Sequence, residues 1–297
     1  MKSSPKPYIY IILAGILTGA IGIFVKLIGS EIHFMTLVFY RMILGFLFVL
    51  AVVPFIDKNA FKVKRKDLKN YFIVGILFAS TLSLFVVANL FAPVQNVVLI
   101  TNFSPFLVLI LAYFFLKEKI TRTKIITLII GVVGIIIINP FKIGENTLGN
   151  YLALTQMVFY SFLVVRMRKE GKEHSIGAII WFFLFATLLL LPFPFIFGWG
   201  NLSEVIWLVL GLGIFSTGFA YLFHNLALEK IGAEISSIFI MLTMPLSGIL
   251  LAFFILGEEL NLRIIIGGII LIAAGVYLQA HNKKVKRAFS KIFDFGL

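Results

Sequence analysis

One cation, Arg41, stands inside an apolar run spanning residues 34–54, with no acid in the run to neutralise it. A guanidinium there costs about 3 kcal/mol on insertion scales, so it must face a protein interior or cavity, or reach back to the headgroups. It offers five N–H donors and no acceptor, which suits an anchor for a carboxylate or a gate. Neutral polar side chains form a second set. Asn102 and Ser104 flank Pro105, Thr243 stands two residues before Pro245, and Tyr160, Trp181 and Tyr221 offer aromatic walls. A few amides and hydroxyls in an apolar, aromatic lining suit a small, partly hydrophobic solute. The same groups could instead bond to one another across helices. On the binding reading, Arg41, Asn102, Ser104, Tyr160, Trp181, Tyr221 and Thr243 are the expected substrate contacts. Pro105 and Pro245 are the expected hinges, because a proline in mid-helix removes a backbone hydrogen bond. Asn89, Asn96, Thr101, Gln156, Thr217, Ser236 and Ser237 complete the polar set.

Nothing in the chain reads as catalytic. There is no cysteine, no Walker loop and no His-Glu-x-x-His, so neither a metal nor any other cofactor is expected. The 13 Asp and Glu residues fall in connections or at the ends of apolar runs. His224 and Glu234 are the titratable groups nearest the apolar runs, and both are expected at headgroup level.

The elements that position these residues follow from composition. The chain of 297 residues is 61% hydrophobic and 13% charged, with a mean hydropathy of +1.07. Ordinary soluble domains are about 45–50% apolar and about 25% charged. An integral membrane protein is implied, and a soluble enzyme or a disulfide scaffold is excluded. Runs of about 20 apolar residues, enough to cross roughly 30 Å of hydrocarbon, fall at 8–28, 34–54, 70–90, 93–116, 122–139, 149–166, 177–197, 204–224, 232–256 and 262–281. Their continuous apolarity predicts an all-α protein of ten transmembrane helices rather than a barrel. With the N-terminus inside, 22 of the 26 Lys and Arg fall in cytoplasmic segments. This bias places both termini in the cytoplasm and the chain, multi-pass, in the plasma membrane. The basic residues then face anionic lipid rather than nucleic acid.

An internal repeat is also present. Shifting the chain by 140 residues lays Pro105 on Pro245, Glu118 on Glu258 and Lys26 on Arg166, with six identities in the 16 positions from 105 to 120. Five spans per copy is an odd number, so the second copy enters the membrane inverted. Such repeats, related by a pseudo-two-fold axis in the membrane plane, alternate access to a central site. The copies are 1–145 and 146–282, followed by a basic cytoplasmic tail, 283–297. Glu118 and Glu258 end equivalent spans, where a carboxylate can bond the exposed amides of a helix start. Gly15 and Gly19 form a small-residue pair that permits close helix approach.

Pro105 through Leu116-Lys117-Glu118, with Gly131 and Gly134, and Pro245 through Leu256-Gly257-Glu258, with Gly268 and Gly275, resemble the Pro…Leu-Gly-Glu…Gly signature of EamA domains. The resemblance covers nearly the whole chain as two tandem copies, departing at Lys117, where the signature has glycine. It implies the drug/metabolite transporter superfamily: ten-helix carriers of small organic solutes, amino-acid exporters among them. Arg41 sits where that family often carries an arginine in its second helix. The function expected is therefore secondary transport of small organic metabolites, amino acids or related compounds, in the outward direction. The alternatives are an intramembrane enzyme, a non-transporting scaffold, or an exchanger of phosphorylated metabolites such as nucleotide sugars. Several buried cations would favour that exchanger, and only Arg41 qualifies.

Overall fold

The computed structural model describes residues 6–117, 122–138, 146–169 and 176–280. Glu118 and the basic tail from 283 lie outside the described residues, as do the side chains of Glu234 and Ser237. The described chain is helical throughout: α1 (Lys6–Gly19), α2 (Ile21–Ile28), α3 (Phe34–Ile56), α4 (Arg65–Phe91), α5 (Val94–Thr101), α6 (Ser104–Leu116) and α7 (Arg122–Ile138). The second half holds α8 (Thr147–Lys169), α9 (Ile176–Leu190), α10 (Phe193–Phe197), α11 (Leu202–Leu210), a π-helical segment (Gly211–Phe219), α12 (Ala220–Leu256) and α13 (Leu262–Ala280).

Eight stretches among the described residues are long and apolar enough to cross a membrane, joined by two shorter apolar helices, Ile125–Ile138 and Leu262–Tyr277. Large apolar side chains point outward along them, including Phe114, Phe195, Trp207, Phe254 and Ile269. Such a surface is a liability in water and is expected against lipid. The protein is a multi-pass membrane protein.

The local breaks follow from sequence. Pro105 occupies the second position of α6, where its missing N–H costs no helical bond, so the fourth span is interrupted at Asn102-Phe103. Pro245 instead lies inside the unbroken α12. The two equivalent prolines therefore have different local structures. The connection expected at 225–231 is also helical, within α12. Its residues, Asn-Leu-Ala-Leu-Glu-Lys-Ile, are mostly good helix formers with no proline among them.

The ends of α6 and α12 match closely. Lys117 adopts φ 56°, ψ 30°, and Gly257, 140 positions on, adopts φ 67°, ψ 22°. Their amides donate to Ala112 and Ala252 respectively, again 140 apart. Lys117 is the only non-glycine at positive φ among the described residues. The left-handed end is thus kept where the glycine that normally supplies it is absent.

Close approach is used within the chain. A Cβ at Gly19 would lie 2.5 Å from the Met244 carbonyl oxygen and 2.9 Å from the Gly248 nitrogen. The Gly15–Gly19 face therefore packs α1 onto α12 of the same chain.

Candidate functional site

Between the helices lies a cavity of about 250 Å³. Its walls are mostly apolar, with Phe78, Leu82 and Phe85 from α4, Leu163 and Met167 from α8, and Phe182 from α9. Residues 78, 82 and 85 recur at helical spacing, so one face of α4 turns inward. Phe78 packs edge-on to both Phe182 and Tyr221, at 5.2 and 5.1 Å between ring centroids.

Polar groups enter this wall from six elements or their junctions. Thr18 comes from α1, Arg41 from α3 and Thr81 from α4; Thr101, Asn102 and Ser104 sit at the α5–α6 break; Gln156 and Tyr160 come from α8, and Tyr221, His224 and Asn225 from α12. The break at Asn102-Phe103 places three polar residues, Thr101, Asn102 and Ser104, and Pro105 at the cavity. Positions 217, 221, 224 and 225 share one helical face, which carries His224 inward rather than to the headgroup level expected of it.

Arg41 is the dominant feature. It is 1% exposed, so it does not reach back to the headgroups. Its Nε donates to the Thr217 hydroxyl oxygen at 2.8 Å, and that hydroxyl donates in turn to the Leu212 carbonyl five residues earlier, at 3.0 Å. The π-helical turn thus holds the acceptor that orients the guanidinium. Short π segments recur at functional sites because they displace side chains from ordinary helical register. Arg41 Nη1 is buried without a partner, as are Thr81 Oγ1 and Gln156 Oε1.

Of the residues expected to contact substrate, Arg41, Asn102, Ser104, Tyr160 and Tyr221 line the cavity, with Pro105 beside them. Asn102 also donates its amide to the Met241 carbonyl at 2.8 Å. Trp181 and Thr243 do not line it. The Trp181 indole donates to the Ala60 carbonyl at 3.3 Å, at one end of the bundle. The Thr243 hydroxyl turns back onto the Phe239 carbonyl at 2.6 Å and packs against Gly15. Pro245 stands away from the wall. Thr81 and Asn225 were not singled out from sequence; Asn225 lies one helical turn beyond Tyr221, and Thr81 is a lone hydroxyl on the Phe78–Phe85 face. No group of three or more His, Asp or Glu among the described residues is placed to hold a metal.

The profile of the EamA-like transporter family matches residues 5–139 and again 147–279. The chain belongs to the EamA-like transporter family. A transporter of Clostridium kluyveri is 26% identical over 296 residues, covering 94% of each chain. A protein of Rickettsia conorii named as an S-adenosylmethionine uptake transporter is 22% identical over 290 residues, covering 96% of this chain and 97% of its own. One of Rickettsia prowazekii with the same name is 24% identical and covers 87% of each. A solved crystal structure shares the fold, with a TM-score of 0.67 at 15% identity over 98% of this chain and 100% of its own. This EamA-like protein is a small-molecule transporter; the family and its named relatives point to transport rather than to catalysis.

Proposed function

We propose that this transporter moves small organic metabolites, amino acids or related compounds, outward across the plasma membrane. It does so by alternating access between two inverted five-helix repeats, 1–145 and 146–282. The observation that carries the reading is that both halves build the cavity wall: Arg41, Thr81, Asn102 and Ser104 come from the first, and Gln156, Tyr160, Tyr221 and Asn225 from the second. A site shared between halves is the arrangement that rocking one half against the other would open to each side in turn.

Two further relations support the symmetry. Helices equivalent under the 140-residue shift pack on one another, α3 on α9 and α7 on α13. Lys117 and Gly257 share one backbone conformation at equivalent helix ends. Contacts at the helix ends also support the topology. Asn201 bonds Glu31 and Thr36 bonds Gly198, whereas Trp181 bonds Ala60 and Arg166 bonds Asn70. The first group belongs to the end poor in basic residues, and the second to the basic, cytoplasmic end.

A second reading, uptake of S-adenosylmethionine, is favoured by the names of the Rickettsia relatives. The test is transport of a radiolabelled panel into and out of proteoliposomes, with amino acids, organic acids and S-adenosylmethionine in the panel. Movement of amino acids supports the first reading, and movement of S-adenosylmethionine alone supports the second. Because the chain has no cysteine, single cysteines at 118 and 258 report the inversion. Labelling of both from one side of the membrane would end it.

A further inference from the structure

The cavity holds a cation, Arg41, that has no acidic partner among the described residues. Among the described residues no Asp or Glu lines it; its described titratable groups besides Arg41 are His224, Tyr160 and Tyr221. Among the described residues Arg41 is the largest fully buried side chain, and Thr217, its one hydrogen-bond partner there, is a neutral hydroxyl. Burying a charge without compensation is costly, so such a cation is retained where something else supplies the balance.

Three buried atoms describe what that something is. Arg41 Nη1 can only donate, Gln156 Oε1 can only accept, and Thr81 Oγ1 can do either. None has a partner among the described residues, although Arg41, Thr81 and Gln156 are 1%, 3% and 6% exposed. They lie on three separate helices, α3, α4 and α8, whose residues line one cavity, so its wall holds both an unmet donor and an unmet acceptor. The complementary occupant carries an anionic acceptor and, in the same small molecule, an N–H or O–H donor.

We infer that the cavity selects solutes bearing a carboxylate together with an amine or hydroxyl donor and no net positive charge, the carboxylate pairing with Arg41 and the donor with Gln156. This rests on the cavity being the transport site, and it adds both a chemical class and an exclusion. Zwitterionic amino acids and hydroxy acids fit. Amines and amino-acid amides do not, because they bring no anion to Arg41. S-Adenosylmethionine is disfavoured, because its sulfonium and ammonium outnumber its carboxylate and the described wall offers no acid to balance them.

The test uses the wild-type protein purified in detergent. Binding is measured calorimetrically for phenylalanine, phenylalaninamide and phenethylamine, for leucine and leucinamide, for phenyllactate, and for S-adenosylmethionine. Each acid is expected to bind about 10- to 100-fold more tightly than its amide or amine, the range that loss of a charge-assisted pair commands. Phenyllactate is expected to bind comparably to phenylalanine. In Arg41→Gln the preference for acid over amide collapses. If that variant does not fold, the wild-type series decides alone. An amide, an amine or S-adenosylmethionine binding as tightly as the acids overturns the inference. So does failure of every acid to bind to a protein that transports some other solute. Proteoliposomes that move no solute of any class overturn the carrier reading instead.

Discussion

Asn102 donates its side-chain amide, at 2.8 Å, to the Met241 carbonyl, and that carbonyl is the one Pro245 leaves without a helical donor. In an α-helix the carbonyl of residue 241 would accept from the amide of residue 245, and proline has none. The break before α6 in the first half therefore supplies the bond missing from α12 in the second. The partners lie 139 positions apart, one short of the repeat offset, so each half meets the other at nearly the same place in its own sequence.

This pairing is tested by a double-mutant cycle. Asn102→Ala should destabilise the purified protein by about 1 kcal/mol, by leaving a buried acceptor unmade. Pro245→Ala restores the backbone donor, so in that background Asn102→Ala should cost clearly less. Thermal unfolding in detergent measures both, and equal costs in the two backgrounds would reject the relation.

Lys117 holds a left-handed conformation that its equivalent, Gly257, adopts without a Cβ. Lys117→Gly should therefore stabilise the protein by about 0.5–1 kcal/mol, offset in part by the greater freedom of glycine in the unfolded chain. A lowered unfolding temperature would show that the lysine side chain contributes more than its backbone costs.

The Glu258 carboxylate accepts from the Val94 and Gln95 amides, at 2.8 and 3.3 Å, at the start of α5. The next residue fastens the same helix end, since the Gln95 side chain donates to the Glu259 carbonyl at 2.8 Å. Capping residues contribute about 0.5–2 kcal/mol, helped here by the positive end of the helix dipole. Glu258→Ala should lower the unfolding temperature, and Glu258→Gln, which keeps one acceptor, should lower it less. No change in either would mean that the contact is energetically idle.

Thr217 is a positioning residue, acting through Arg41. Thr217→Val removes the acceptor for Nε while keeping the shape, and Thr217→Ser keeps the hydroxyl. In proteoliposome transport Thr217→Val should raise KM for a carboxylate solute about 10-fold, corresponding to about 1.4 kcal/mol. Thr217→Ser should restore it. An unchanged KM with a reduced maximal rate would assign Thr217 to helix structure instead.

The all-helical, multi-pass character could be read from the chain because long apolar runs report directly on bilayer crossing. The cavity lining was legible where a polar residue interrupts such a run, as with Arg41, Asn102, Ser104, Tyr160 and Tyr221. Trp181 and Thr243 stand away from the cavity, and residue type does not reveal which way a helix face turns; one faces the Ala60 carbonyl and the other its own helix backbone. Thr217 was visible as a polar residue, but its role was not. That role depends on a π-helical turn, and no periodicity in the segment Gly-Leu-Gly-Ile-Phe-Ser-Thr-Gly-Phe signals one. The unbroken α12 was missed because charge at Glu229 and Lys230 resembles a connection, while the intervening residues are strong helix formers.

The seam at Gly19 has a mechanical consequence. No methyl group fits between α1 and the Met244–Gly248 stretch of α12, and contacts that tight either hold or part altogether, with no intermediate slack to glide through. Under any deformation of the bundle these two helices are therefore expected to move as a single lever.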